Sequence, residues 1–280
     1  AMKNLNLLML EADSEISLVL ERLDKYGICV IKNFLSELTL SALQYEFDQV
    51  LSAGEDHFNF TTNKNFSYGE NGQVAKCKTV NMTEDVKAIK STFTSDFMRK
   101  VAEGYFGVDC EINDDIYLTH DLPSKKQILP WHFDRQQSLK FYINLVNVSK
   151  RNGSLEYDIG SHREGHFRAN YYVLSGVEIK NIPNDIPAEE LHNPTVIAVN
   201  AGDLIIFDPD GFHKGGVVSV GYERKVIRGH AHPIPIRGYN SRLFDAHWWI
   251  QSCLNLSKIL KTRGSRTLPR ERLTRANLGR

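Results

Sequence analysis

Between Glu11 and Lys25 the apolar residues Ile16, Leu18, Val19, Leu20 and Leu23 recur among acidic positions at the spacing of one helix face, and Gly27 stops the pattern. A short β-rich run, Ile28-Cys29-Val30-Ile31, predicts a strand immediately afterwards. Ser36-Glu37-Leu38-Thr39 then has the character of a capped entry into a second amphipathic helix, which runs to about Leu51. From Ser52 to Thr79 the chain turns polar, Asn- and Gly-rich, and carries Phe58, Phe60, Phe66 and Tyr68 without a period. An excursion of that length in an enzyme-sized chain predicts a lid or wall of a site over 52–79. A further helix is expected from Thr83 to Tyr105.

Beyond Asp114 the pattern is that of strands: Ile116 to His120, Ile128 to Asp134, Leu139 to Val148, Val196 to Ala198, Leu204 to Asp208, Phe212 to Val220 and Arg224 to His232. Turn signals separate them at Asn152-Gly153, Gly160, Asn193-Pro194, Gly202-Asp203, Asp208-Pro209-Asp210-Gly211 and Gly221, a rhythm that fits a sandwich or jelly roll. No βαβ series and no Gly-rich phosphate loop occurs, which disfavours nucleotide-binding α/β folds. Ser241 to Leu260, with Trp248, Trp249, Ile250 and Leu254, predicts a C-terminal helix. Lys261 to Arg280 holds seven basic residues against Glu271 and is expected to be a basic tail. The expectation is thus one domain over 1–280: a mostly helical part to 113, a β core over 114–233, then helix and tail.

Composition narrows the class without naming a chemistry. Apolar residues are 41% and charged ones 24% of 280, as in an ordinary globular protein, and the formal net charge is zero, so nucleic acid is an unlikely partner. Cys29, Cys77, Cys110 and Cys253 are scattered and form no Cys-x-x-Cys pair, so reduced thiols and a cytoplasmic location are expected. No run is long and apolar enough for a membrane span, and oligomeric state is not legible.

The chemistry concentrates in Trp131-His132-Phe133-Asp134, answered 79 residues later by Phe212-His213 and then by Arg224. On an extended strand residues two apart share a face, so His132 and Asp134 can turn toward one ion while Phe133 points away. With His213 they make a two-histidine, one-carboxylate set, which leaves three octahedral positions open, enough for a bidentate keto acid and dioxygen. Rival pairs are His162/Glu164 in a turn-rich segment, Asp245/His247 at the start of a helix, and His230/His232, a strand-end pair that could bind zinc. Asp208-Pro209-Asp210-Gly211 forms a tight turn before His213, and Gly215-Gly216 lets backbone come close to a ligand. If the runs either side of Val218 and Ser219 fold back, Arg224 returns to the level of His213, where its planar guanidinium can grip a distal carboxylate.

These residues carry a resemblance to the phytanoyl-CoA dioxygenase-like group of iron(II)/2-oxoglutarate oxygenases. Leu23 to Ser36 is similar to that group's opening passage of glycine, apolar strand, Phe-Leu-Ser and helix. Asn152-Gly153-Ser154-Leu155 leading to Gly160-Ser161-His162 looks like a second section, and Gly202 to Phe207, His213 and Arg224 to Ile227 like a third, including the spacing of 11 from His213 to Arg224. The resemblance implies a double-stranded β-helix, a cupin-like jelly roll. It also implies iron ligation by His132, Asp134 and His213, and Arg224 on the distal carboxylate of 2-oxoglutarate. The implied reaction couples decarboxylation of 2-oxoglutarate to succinate and carbon dioxide with attack of dioxygen-derived oxidant on an unactivated carbon of a small-molecule metabolite. Halogenating relatives have a small residue where Asp134 stands, so hydroxylation is favoured; desaturation, epoxidation and cyclisation use the same oxidant and are not separated.

Further candidates are Gln127, for the keto-acid carboxylate or a metal ligand, and Tyr117, His120, Arg135, Arg163, Arg168 and Trp248 for substrate. Trp131 and Phe133 are expected to pack in the core. Two other classes remain in play: a zinc hydrolase or lyase on the same jelly roll, and a non-catalytic binding module.

Overall fold

In a computed structural model of the chain, the residues described are 5–52, 61–63 (backbone only), 72–125, 129–135 and 137–234. Helix α1 (Ile16–Tyr26) ends where Gly27 takes a left-handed conformation, φ 75°, and its N–H donates back to Leu23. Helix α2 (Glu37–Ser52) begins at a Ser36 side chain that accepts the Thr39 N–H at 3.2 Å. The single helix expected over 83–105 is two, α3 (Lys87–Phe93) and α4 (Asp96–Phe106). Thr94 and Ser95 interrupt it, Ser95 being extended at ψ 147°. Another helix, α5 (His162–Leu174), lies where only a turn-rich segment was expected.

Among the described residues the strands are, in chain order, β1 (Met9–Leu10), β2 (Ile28–Ile31), β3 (Thr61–Asn63), β4 (Gln73–Lys78), β5 (Cys110–Ile112), β6 (Asp115–Asp121), β7 (Leu139–Asn144), β8 (Leu155–Asp158), β9 (Pro194–Val196), β10 (Leu204–Phe207), β11 (His213–Gly215) and β12 (Arg224–Pro233). Nine join one sheet in the order β1-β2-β10-β7-β12-β6-β4-β3, with β5 also on β12; β11-β8-β9 form the second. The fold is mainly β with flanking helices, of the jelly-roll, cupin type.

The period of two divides the large sheet cleanly. Ile31, Leu204, Ile206, Phe141, Ile143, Ile227, Leu118 and Cys77 turn outward and seal against Leu23, Phe47, Phe93 and Val101 of the helices. Ile28, Val30, Ile205 and Phe207 turn inward and meet Leu155, Tyr157 and Ile197 of the small sheet. Cys29, Cys77 and Cys110 are buried and reduced.

Three expectations need correction. Gln73–Lys78 is not part of an excursion but an interior strand paired with β6; residues 53–60 and 64–71 of that segment lie outside the described residues. No strand runs to Asp134: His132 makes single bridges to Asp185 and His213, and the flanking N–H groups are taken by loop carbonyls, Phe133 by Asn184 and Asp134 by Pro209. The run expected over 212–220 is regular only at His213–Gly215, because Gly216 and Val218 instead meet Ser154 and Asn152. The helix and basic tail expected over 241–280 lie outside the described residues. Among the described residues no helix is long and apolar enough to cross a membrane.

Two stability predictions follow from Gly27 and its neighbours. A β-carbon there would stand 2.5 Å from both His162 Nδ1 and Tyr157 Oη, on a backbone already at positive φ. Gly27→Ala is expected to lower unfolding free energy by about 2 kcal/mol or more, read from the urea midpoint. His162 itself donates through Nε2 to Asp24 O at 3.0 Å, and burial pulls its pKa from 6.5 down to about 4. The unfolded chain therefore takes up a proton that the folded state refuses, so this contribution is full above pH 6.5 and is lost as pH falls toward 4. The stability gap between wild type and His162→Asn is expected to narrow over that window; a gap independent of pH would show that His162 does not titrate on unfolding.

Candidate metal centre

His132 and His213 are direct cross-strand partners: each N–H donates to the other's carbonyl, at 3.0 and 2.8 Å. Residues so paired point to one face, which brings the two imidazole centroids to 4.4 Å. His213 is paired in turn with Tyr157 of β8, so the row His132-His213-Tyr157 looks inward from the small sheet. Facing it from the large sheet is the row His230-Lys140-Phe207. Phe207 touches the His213 ring at 5.4 Å and the Tyr157 ring at 6.0 Å.

Asp134 enters between the rows. Its Oδ1 lies 3.4 Å from His132 Nε2 and 3.7 Å from His213 Nε2, and its Oδ2 accepts a hydrogen bond from Lys140 Nζ. Pro130 O accepts from His132 Nδ1 and Gly211 O from His213 Nδ1, both at 2.8 Å, which puts the imidazole protons on Nδ1 and turns the Nε2 lone pairs toward the carboxylate. Burial drives the His213 pKa down to about 3. Burial also opposes the charge on Asp134, but the Lys140 cation outweighs it and holds the carboxyl well below its usual range. Lys140, for all its burial, is raised to about 12 by Asp134. Two imidazoles and one ionised carboxylate converging on one point are the donor set of a divalent first-row metal.

The turn Asp208 to Gly211 supports both ends of this set. Pro209 O takes the Asp134 N–H at 2.8 Å, and Gly211 O orients His213. Beneath it, fully buried His166 lies 2.8 Å from Asp208 Oδ2 and 3.4 Å from Asp210 Oδ2, and Tyr105 Oη donates to Asp208 Oδ2 at 2.6 Å. Among the described residues this is the other place where three such ligand atoms gather. Sequence reasoning missed it, and missed Lys140, although Lys140 stands out as the charged inward position of a strand whose neighbours Leu139, Phe141 and Ile143 are apolar.

The remaining candidates separate. Arg224 opens β12 beside Asp121, which accepts from its Nε at 2.8 Å and its Nη2 at 2.7 Å; Nη1 donates to Gly153 O. A β-carbon at Gly215, two residues past His213, would lie 3.7 Å from Arg224 Nη2, so the side chain reaches β11 at Gly215 while its backbone pairs with β6. Tyr117 lies on the inner face of β6, near His230 at 5.8 Å. His120 does not join it: three residues on, it takes the opposite face and meets Glu223 at 2.8 Å. Arg135, at φ 59°, donates to the carbonyls of Lys180 and Ile182. Arg163 is held at the surface by Asp24, and Arg168 by Glu190 and Glu164 while stacking over Phe212. Phe133 is fully buried, and Trp131 is partly buried with Lys214 Nζ 5.2 Å from its ring centre. His162 and Glu164 turn to different partners, and His230 is an inward residue of the central strand rather than a strand-end polar group. Gln127, Trp248, Asp245 and His247 lie outside the described residues.

A jelly roll that gathers two histidines and an aspartate between its sheets defines the class of mononuclear non-haem metal oxygenases. The chain belongs to the phytanoyl-CoA dioxygenase family, whose profile matches residues 23–225. No curated protein matched the sequence. Similar solved structures include AviO1 from Streptomyces viridochromogenes Tue57, 16% identical with TM-score 0.54, covering 78% of this chain and 94% of that one. The non-haem α-ketoglutarate-dependent epimerase SnoN from nogalamycin biosynthesis is 14% identical with TM-score 0.56, covering 78% and 82%. The carbocyclase SnoK of the same biosynthesis is 15% identical with TM-score 0.56, covering 79% and 85%.

Lys140 generates the test of this geometry. Lys140→Met leaves Asp134 without its cation and free to protonate, and iron(II) affinity is expected to fall about 10- to 100-fold, as for other groups that orient a ligand. Equilibrium dialysis against ferrous iron checks this, and unchanged affinity would show that His132 and His213 position the ion without it.

Proposed function

We propose that the protein is an iron(II)- and 2-oxoglutarate-dependent dioxygenase that hydroxylates a small-molecule metabolite. The observation that carries the reading is the approach of Asp134 Oδ1 to His132 Nε2 at 3.4 Å and to His213 Nε2 at 3.7 Å, with Asp134 kept ionised by Lys140. His132, Asp134 and His213 would hold the ion. When bound, iron, 2-oxoglutarate and dioxygen supply an oxidant able to attack an unactivated C–H bond, releasing succinate and carbon dioxide. The protein's part is to bind, orient and shield.

Arg224 would take the distal carboxylate of 2-oxoglutarate. Asp121 and Gly153 fix its guanidinium plane, and among the described residues one hydrogen on each of Nη1 and Nη2 remains for a two-point grip. Asp134 fills the place that halogenation would need open, which supports hydroxylation. Small-molecule metabolism is supported by SnoN, one structure of which holds Fe3+, α-ketoglutarate and nogalamycin RO.

Anaerobic protein given ferrous iron and 2-oxoglutarate is expected to show a weak visible charge-transfer band, lost in Asp134→Ala and His213→Ala and requiring about tenfold or more 2-oxoglutarate in Arg224→Gln. Succinate release across a metabolite panel then finds the substrate, and product analysis distinguishes hydroxylation from desaturation, epoxidation or cyclisation. Absence of the band, with both variants binding iron like wild type, would overturn the reading; zinc in protein purified without chelators would favour a hydrolase or lyase.

A further inference from the structure

The segment that carries His132 and Asp134 is anchored from behind by the chain that follows α5. Between the two inward ligands, Phe133 turns the other way, is fully buried, and packs in a cluster with Phe212, Ile182 and Ile186. Backbone bonds lace the same two stretches together. Asn184 O accepts the Phe133 N–H at 3.2 Å, Asn184 Nδ2 donates to Phe133 O at 3.0 Å, and the Ile186 N–H donates to Trp131 O at 2.7 Å. Residues 182–186 thus form a strap that holds His132 from both sides.

Asp134 is fastened differently. Its N–H goes to Pro209 O at 2.8 Å, and the residue after it, Arg135, has a left-handed backbone with φ 59°. Among the described residues the other non-glycine at positive φ is Asn33, a residue type that tolerates this region. Arginine does not adopt it unaided, because its Cβ crowds the following carbonyl. Left to itself it would return to negative φ, and rotation about that bond would swing Asp134 relative to β7, which begins at Leu139 and carries Lys140. The restraint comes from the strap. Arg135 Nη1 donates to Ile182 O at 2.6 Å and to Lys180 O at 3.1 Å, one charged nitrogen using both hydrogens. Lys140 therefore holds the Asp134 carboxylate from the large sheet, while Arg135 holds the backbone that bears it.

We propose that Arg135 is a positioning residue for the metal centre: its guanidinium, latched to the carbonyls of Lys180 and Ile182, keeps the backbone after Asp134 left-handed and so sets the carboxylate where His132 and His213 meet it. This rests on the oxygenase reading and adds to it a latch outside the ligand set. The strap and the ligand segment then act as one unit, with hydrogen bonds on both sides of His132 and one side-chain latch beyond Asp134.

The test uses the full chain without cosubstrate, titrated calorimetrically with nickel(II), which binds imidazole and carboxylate ligands without any need for dioxygen. Arg135→Ala is expected to raise the nickel dissociation constant about tenfold or more, as for other groups that orient a ligand. Arg135→Lys, whose ammonium can still donate to both carbonyls, is expected to keep most of the affinity. Arg135→Gly is at ease in the left-handed region, so it removes the latch without adding strain; it is expected to weaken nickel binding too, and it decides the matter if the alanine variant does not fold. In an Asp134→Ala background Arg135→Ala is expected to change nickel binding no further, a result that a general loss of structure would not give. Amide hydrogen exchange of the metal-free protein supplies a second readout, with faster exchange at the Phe133 and Asp134 N–H groups expected in Arg135→Ala.

Wild-type nickel affinity in both the alanine and glycine variants would overturn the proposal. An equal loss with and without Asp134 would overturn it too, by showing that Arg135 acts on the fold at large. Wild type that binds no nickel, with exchange still quickened by Arg135→Ala, would overturn the oxygenase reading and uphold the latch; unchanged exchange in that case would overturn both.

Discussion

Two backbone hydrogen bonds, exchanged between His132 and His213, are what the candidate centre depends on. They join positions far apart in the chain, and because antiparallel partners in register face the same way, they aim both imidazoles inward without any contribution from the side chains. The pairing extends the small sheet by one irregular rung, from Tyr157 through His213 to His132 and on to Asp185. The large sheet then supplies the opposite wall, with Lys140 against Asp134 and Phe207 against His213.

Burial on its own would make this a poor place for a carboxylate. The cation of Lys140 reverses the balance, so Asp134 stays ionised while burial keeps His213 neutral. Both protonation states are those that metal ligation requires. They arise from the same low-dielectric setting, which penalises the isolated charge and rewards the paired one. The supporting turn follows similar logic: Asp208 is buried but engaged by His166, Tyr105 and the Asp210 N–H, and the rigid loop so made lends Pro209 O and Gly211 O to the ligands.

The elements readable in advance were those with a strong local cause. Gly27 can end α1 because glycine tolerates positive φ, and the continuous apolar, β-branched runs Ile28–Ile31 and Leu204–Phe207 mark strands whichever partners they find. Less legible were stretches whose form comes from distant partners. The segment around His132 reads as a strand yet is held by carbonyls of Asn184, Pro209 and His213, and α5 has too little amphipathic contrast to announce itself against the turn signals before it. Side-chain partners arise in the same way: folding brings Asp24 to Arg163 and Glu190 to Arg168.

The sequence by itself determined the ingredients of the centre: the types His132, Asp134 and His213, the turn before the second histidine, the arginine that follows, and the family to which this order belongs. Such features are local in the chain, and their spacing and residue type survive without coordinates. Only the tertiary structure decided that Lys140 would answer Asp134, and that His120 and Tyr117 would part to opposite faces. Those outcomes depend on strand register, which is set by how whole sheets pack and is invisible in any single stretch of sequence.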